Sequence, residues 1–352
     1  MLKLALELVD RGMVPDALLR VGARRVVRER EQQERAVYGN DARAPRHAEA
    51  LARWVADMRA APVALVPDKA NEQHYEVPAR YYELVLGPAR KYSCAYYPDA
   101  DTSLDQAEQA MLALTCERAR LAEGQRVLEL GCGWGSLSLY MAANWPSSQI
   151  VAVSNSHSQR EAIAAMAAAR GLSNLELITA DMNAFEAPLE GGRFDRVVSV
   201  EMFEHMRNWE QLLGRVRRWL ADEGLFFQHV FAHERFSYPY VDEGPSDWMT
   251  RHFFSGGMMP SHALLDELDI PFELVERWRV NGRHYQRTAE DWLARHMDQR
   301  EAIMALFAEV YGPAEAGRWF QRWRVFYIAV AELFGYADGE AWFVSHNLLA
   351  PT

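Results

Sequence analysis

The chain has 352 residues, 49% hydrophobic and 25% charged, and carries a formal net charge of −11. That composition is ordinary for a folded protein and suffices for one sizeable core plus a smaller unit or large insertions. The acidic balance argues against nucleic acid and against general adhesion to anionic membranes, and no apolar run approaches the roughly 18 residues of a bilayer span.

Residues 1–65 read as helices. Apolar residues recur at helical spacing at Leu2, Leu4, Leu6, Leu8 and Val9, then Leu18, Leu19 and Val21, then Leu51, Trp54, Val55 and Met58. Glu7 and Asp10 break the first apolar run, which makes it amphipathic rather than secretory. Arg20, Arg24, Arg25, Arg28, Arg30, Arg35, Arg43 and Arg46 interleave with Glu29, Glu31 and Glu34, as on a solvated helix face with i,i+4 ion pairs; a local basic patch is the other reading. Pro62 and Pro67 mark an exit. Residues 70–98 then hold two polar-aromatic strings, Asn71-Glu-Gln-His-Tyr-Glu-Val-Pro78 and Lys91-Tyr-Ser-Cys-Ala-Tyr-Tyr-Pro98. The pattern predicts a helix over 103–121, capped by Ser103, with Leu104, Ala107, Met111, Leu114 and Ala119 on one side.

Strand and helix alternate next. The expected strands are 126–130, 150–153, 175–179, 194–200 and 225–231, with helices at 136–144, 157–170 and 208–220 between them. This order predicts a doubly wound parallel sheet. Residues 232–270 are irregular and rich in Gly, Pro, Ser and aromatics, as expected of a lid or substrate loop. Strands at 272–280 and 342–349 flank helices covering about 288–335. Eleven Trp, 14 Tyr and 15 Phe are enough to wall a pocket in the C-terminal half. Cys94, Cys116 and Cys132 show neither C-x-x-C pairing nor metal spacing, which fits a reducing cytoplasm.

The most informative segment is Val127-Leu-Glu-Leu-Gly-Cys-Gly-Trp-Gly135. An apolar strand ends in glycines at alternate positions, Gly131, Gly133 and Gly135, and a helix begins at once. Glycine permits φ > 0 there and lets a cofactor lie on the backbone. A dinucleotide fingerprint would place its last glycine at 136, which is Ser136. The shorter spacing after an acidic strand end suits a phosphate-free nucleoside cofactor such as S-adenosylmethionine, although an ordinary strand-to-helix turn uses glycine in the same way. The next strand ends at Ser154, Asn155 and Ser156, with Gln159 one turn on, where a ribose is expected. No acid is available to grip its hydroxyls, so amide and hydroxyl groups would do so; Ser156 also suits a helix cap. Asp181 and Met182 follow the third strand, where a carboxylate can take an adenine amino group and the thioether can pack on the ring. After the fourth strand come Glu201, Glu204 and His205. On a helical turn these share a face, and a carboxylate beside an imidazole suits proton abstraction. A single histidine argues against a zinc site. On pattern alone, Cys94, Tyr285 and His229 read as structural more readily than as catalytic.

Together, Tyr92-Ser-Cys-Ala-Tyr96, Leu130-Gly-Cys-Gly-Trp-Gly135, Ser154-Asn-Ser-His-Ser-Gln159 and Met202-Phe-Glu-His205 resemble the cyclopropane fatty acid synthase family of S-adenosylmethionine-dependent methyltransferases, over about residues 70–350. Asn71–Pro78, Asp247-Trp-Met-Thr-Arg-His-Phe-Phe254, Val280-Asn-Gly-Arg-His-Tyr285 and Ala329-Val-Ala-Glu-Leu-Phe-Gly-Tyr336 are most similar to its benzylisoquinoline (coclaurine-type) N-methyltransferase branch. The resemblance implies a class I methyltransferase fold, a Rossmann-like doubly wound sheet with its last strand antiparallel. An N-terminal helical extension (1–69) would precede the methyltransferase domain (70–352), whose lid lies around 232–270. It implies that Tyr92 and Ser93 close over the cofactor and that Gly131, Gly133 and Gly135 form its floor. Ser154, Asn155 and Gln159 would hold the ribose, and Asp181 and Met182 the adenine.

For the amine branch it implies catalysis by Glu204 and His205, with Glu201 near the substrate nitrogen. Trp248, Phe253, Phe254 and Trp323 would then offer faces to a cationic small cyclic or aromatic-bearing amine, or else belong to the core. For the lipid branch it implies transfer to an unsaturated phospholipid acyl chain, with a bicarbonate as base, held by Cys94, Glu204, His229, Tyr285 and a backbone group near Phe231. The N-terminal arginines would then touch the membrane. A cofactor-binding scaffold without turnover is a third reading. The N-terminal helices are also plausible homodimer material.

Overall fold

The structure is a computed structural model that describes residues 7–65, 78–241, 244 and 248–352. Leu2, Leu4, Leu6, Pro67, residues 71–77 of the Asn71–Pro78 string, and Asp247 lie outside the described residues.

Seven strands form one sheet: β1 (Arg126–Leu130), β2 (Gln149–Ser154), β3 (Leu175–Thr179), β4 (Phe194–Val200), β5 (Leu220–His233), β6 (Phe272–Val280) and β7 (Trp342–Pro351). Their spatial order is β3-β2-β1-β4-β5-β7-β6, and only β7 runs antiparallel to its neighbours. The central strands are continuous apolar runs because helices cover both faces: Val127, Leu128, Leu130, Val151, Ala152, Val153, Val197 and Val198 are all buried. Strand order reverses between β1 and β4, and a crevice opens there, outside the carboxyl ends of the strands. The glycine loop, Ser154–Gln159, Asp181–Met182 and Glu201–His205 all lie along that one edge.

The elements match the expected ones closely, with two informative differences. Strand β5 begins at Leu220 rather than 225, because Leu220 pairs with Phe194, and it runs on to His233, which pairs with Trp342 of β7. The Ala-Asp-Glu-Gly stretch after Leu220 reads as a turn in sequence but is held by that pairing. The helix expected over 103–121 stops at Arg118, since Arg120 takes φ 54. Its start carries the Ser103 cap, with a reciprocal bond from Gln106.

The helices are α1 (Asp16–Tyr38), α2 (Pro45–Ala60), α3 (Ala79–Val85), α4 (Leu104–Arg118), α5 (Ser136–Asn144), α6 (His157–Ala169), α7 (Trp209–Trp219), α8 (Trp248–His252), α9 (Gly282–Asp298), α10 (Arg300–Tyr311) and α11 (Pro313–Phe334). Helix α1 lies against α11. Only part of its arginine run is a solvated face. Arg25–Glu29 and Arg35–Glu31 are i,i+4 pairs, but Arg20 binds both Glu290 and Glu332, and Arg24 binds Glu332. These cations fasten α1 to α9 and α11 and are not free for a membrane. The described residues of 232–270 are packed rather than loose: Tyr238–Pro239 pairs with Met258–Met259, and Phe236, Phe253, Met258, Met259 and Leu264 are buried. Among the described residues, no helix is long and apolar enough to cross a membrane.

Candidate active site

The glycine loop leaves β1 with φ values of 80°, 51° and 82° at Gly131, Gly133 and Gly135. The three glycines serve different ends. A Cβ on Gly131 would come within 2.5 Å of Met202 and one on Gly135 within 2.6 Å of Ile163, so these two are required by close packing. A Cβ on Gly133 would meet nothing within 4 Å. Open space therefore begins at its backbone, at the switch point of the sheet. Cys132 and Gly131 donate their N–H groups to Val153 O, which ties the loop to the end of β2.

Beyond the loop, Ser154 donates to Gln159 (2.7 Å), and Ser156 caps α6. Ser154, Asn155, Gln159, Asp181 and Met182 line one small cavity with Gly131, Gly133, Met202 and His205. Asp181 is exposed and Met182 buried. Tyr92 packs between Tyr82 and Trp292, at 5.1 and 5.5 Å between ring centroids. Ser93 is buried and accepts from the ammonium of Lys91. The open glycine floor and its surrounding amide, hydroxyl and carboxylate groups suit a nucleoside cofactor without phosphates.

At the mouth of β4, Glu201 adopts φ 48, a left-handed conformation that a glutamate holds only under constraint. Its N–H is fixed on His229 O at 2.8 Å. The turn directs its carboxylate into a ring of donors. Oε1 accepts from the Cys94 N–H (2.9 Å) and faces His229 Nε2 (3.1 Å), while Oε2 accepts from the Tyr285 hydroxyl (2.7 Å). The helical face expected to join Glu201 to Glu204 and His205 does not form: only 203–205 make a short 3-10 turn, and Glu201 precedes it in its own conformation. Glu204 turns behind the wall, fully buried, and accepts from the Phe231 N–H at 2.6 Å. Its other oxygen has no partner among the described residues. His205 stacks on Phe254, with centroids 5.3 Å apart.

The electrostatics follow from burial. Desolvation raises both carboxyls; the Lys91 charge and the donors from Cys94 and Tyr285 oppose it at Glu201, whereas the Glu201 charge adds to it at Glu204. Of these two acids Glu204 is pushed the further toward its neutral form, and the surroundings of Glu201 favour the charge more. Burial pushes His205 down to about 4, so its imidazole is neutral. Cys94 enters through its backbone; its buried thiol is pushed well up and donates to Ala95 O.

The family model for mycolic acid cyclopropane synthetase matches residues 66–334. The chain belongs to that family. It is an S-adenosylmethionine-dependent methyltransferase, and its sheet is that of class I enzymes. It is 38% identical to (S)-coclaurine N-methyltransferase of Thalictrum flavum subsp. glaucum over 83% of this chain and 81% of that protein. The crystal structure of a coclaurine N-methyltransferase bound to N-methylheliamine and S-adenosylhomocysteine superimposes with a TM-score of 0.92, at 32% identity and 98% coverage of both chains. Cyclopropane-fatty-acyl-phospholipid synthase of Escherichia coli (strain K12) is 33% identical over 64% of this chain and 56% of that protein.

Within this methyltransferase a chamber of about 650 Å³ reaches from the glycine loop, past Glu201, His205 and Tyr285, to α1 and α11. Its far wall is apolar, with Leu18, Val26, Phe326 and Val330 among its members, and Tyr240, Trp248 and Phe254 add aromatic faces. The structure divides the four aromatics singled out in sequence: Trp248 and Phe254 line the chamber, while Phe253 and Trp323 are fully buried and pack on each other at 5.1 Å. Two ionisable wall residues, Lys91 and Glu129, have no role of their own in the sequence reading. Lys91, 2% exposed, donates to Cys94 O at 2.8 Å, and its only sequence signal is its place just before Tyr92-Ser93-Cys94. Glu129, fully buried and pushed up to about 7, is the acidic strand end itself and accepts from Ser138.

Proposed function

We propose that this methyltransferase N-methylates a small cyclic or aromatic-bearing amine, with Glu201 as the group that takes the ammonium proton. One observation carries the choice of amine over alkene. The donors that the lipid branch would aim at a bicarbonate are occupied by the chain's own acids: the Cys94 N–H, His229 and Tyr285 hold Glu201, and the Phe231 N–H holds Glu204. An added anion would meet the Glu201 carboxylate already seated on the Cys94, His229 and Tyr285 donors, so bicarbonate does not fit there.

When bound over Gly131, Gly133 and Gly135, S-adenosylmethionine supplies a sulfonium methyl that an amine lone pair takes in one in-line displacement. The protein's part is to present that lone pair. An amine arrives mostly as ammonium at neutral pH and has none to offer. Tyr240, Trp248 and Phe254 offer π faces to the cation. Glu201 lies at the wall with its side chain 9% exposed. An N–H proton passes from nitrogen to its carboxylate and leaves the pair of electrons on nitrogen. Glu204, pushed toward its neutral form, does not compete for the proton, and His205 stacked on Phe254 lines both cavities. The apolar far wall takes the substrate's hydrocarbon. The relatives named N-methyltransferases support the same reading.

The test offers methyl-labelled cofactor to purified protein with two substrate sets in parallel, unsaturated phospholipid vesicles and a panel of cyclic secondary amines, resolved by mass. Label on an amine with no change in lipid mass is the expected result. A gain of one methylene on the acyl chain would overturn it.

A further inference from the structure

His229 and His346 are direct cross-strand partners on β5 and β7, both 0% exposed. Their rings meet edge to edge, with His346 Nε2 at 2.9 Å from His229 Nδ1. Past His346, Arg118 at the end of α4 places Nη1 at 2.8 Å from His346 Nδ1, its guanidinium lying over Trp278, which is paired with His346 on β6. At the other end His229 Nε2 faces Glu201 Oε1 at 3.1 Å. Four side chains, from α4, β7, β5 and the turn after β4, thus form one unbroken hydrogen-bonded line, ending in the carboxylate assigned above as the proton acceptor.

The direction of every proton in this line follows from its far end. A guanidinium only donates. His346 Nδ1 must therefore accept, so its proton is on Nε2; His229 Nδ1 must then accept, so its proton is also on Nε2 and points at Glu201. We infer that Arg118 and His346 are positioning residues that lock His229 in the Nε2–H tautomer and so hold Glu201 as an ionised acceptor. The inference rests on the role of Glu201 proposed above. The line cannot drain a proton from Glu201, because its outer end accepts none; it aligns dipoles toward the carboxylate, and such aligned bonds reinforce one another. Burial keeps both imidazoles neutral, as the line requires, with the neighbouring Lys91 and Arg118 charges acting in the same direction. The other groups facing Glu201 are Lys91 and Cys94 from the segment before α4, Tyr285 from α9, and Glu204 and His205 from the turn after β4.

The tautomers can be read directly in full-length enzyme labelled with ¹⁵N at histidine, by long-range proton–nitrogen correlation at neutral pH. His229 and His346 should both be Nε2–H. Arg118→Met, which keeps the stem over Trp278, should release His346 to the other or a mixed tautomer. It should also move the acid limb of the kcat/KM profile for the amine up by about one unit, a roughly tenfold loss below that limb, with S-adenosylhomocysteine affinity unchanged. Arg118→Lys should restore the limb in part. If Arg118→Met does not fold, His346→Gln, whose amide accepts from Arg118 and donates to His229, should keep His229 as Nε2–H. Either histidine as Nδ1–H in the wild type, or Arg118→Met with tautomers and limb both unmoved, overturns the inference. Wild-type tautomers as expected beside a fully active Glu201→Gln enzyme would uphold the line's direction and refute the assignment of Glu201 as base.

Discussion

Replacing Glu201 by glutamine separates charge from shape. The amide keeps the side chain's length, its oxygen still accepts from the Cys94 N–H or His229, and the Tyr285 hydroxyl can turn to accept from the new NH₂ group. Position 201 stays left-handed in both proteins, so backbone strain cancels in the comparison. What is lost is the negative charge that receives the proton. The magnitude follows from the substrate: an ordinary alkyl ammonium, with a pKa about 10.4, is neutral to roughly one part in a thousand near pH 7.4. A site that cannot take the proton must wait for that fraction, so kcat/KM for the amine should fall on the order of 10³-fold, within the usual range for a general base. The loss should also be recoverable. In Glu201→Gln, log kcat/KM should climb about one unit per pH unit toward pH 10, while the wild type levels off earlier. Initial rates with labelled cofactor from pH 6 to 10, with S-adenosylhomocysteine titrations to confirm an intact cofactor site, make the measurement. A variant within about tenfold of wild type at pH 7.4, or one whose profile merely parallels it, would refute the assignment of Glu201 as the acceptor.

Glu204 is expected to be an uncharged acid already, so Glu204→Gln should keep turnover within about tenfold of wild type, in contrast to Glu201→Gln; comparable losses would place the charge on the wrong carboxyl. Tyr285→Phe removes one bond to a carboxylate, worth about 1.5–3 kcal/mol, and should lower kcat/KM by roughly 10- to 100-fold, whereas Cys94→Ala, which leaves the backbone donor in place, should be nearly silent in the same assay. Gly133→Ala should fold, at a cost of about 1–2 kcal/mol for its positive φ, and lose cofactor affinity by calorimetry, while Gly131→Ala, driven into Met202, should lose roughly 3 kcal/mol in a denaturant melt. Burial pushes the Glu31 carboxyl up, but the His233 hydrogen bond and charge, with Arg35, hold it below its ordinary 4.5. Its ionisation therefore stabilises the fold above that pH, and the benefit disappears as pH falls through the lowered value. Urea melts of wild type and Glu31→Gln should differ at pH 6 and converge in acid; a constant gap would refute the sign.

Chemistry that is local in the chain was legible in the sequence. The glycine loop announces itself because an apolar strand, a positive-φ turn and a helix start occupy consecutive residues, and the alternation of strand and helix after residue 126 fixes which edge of the sheet is the working edge. What stayed hidden is the difference between Glu201 and Glu204. In sequence they look like one acid–base turn, with the Glu204-His205 pair as its centre. In space a left-handed residue at 201 separates them, and the donors that settle their charges come from far along the chain: His229 is 28 residues from Glu201, Tyr285 84 and Cys94 107. Conformational strain at one residue and convergence of three distant elements leave no periodicity to detect. The same holds for Arg118 and His346, which no motif marks and which meet only because β7 enters the sheet antiparallel between β5 and β6, bringing His346 opposite His229. A strand whose direction sets it apart from the rest of the sheet thus supplies the residue that, by the tautomer argument, decides which way the proton on His229 points.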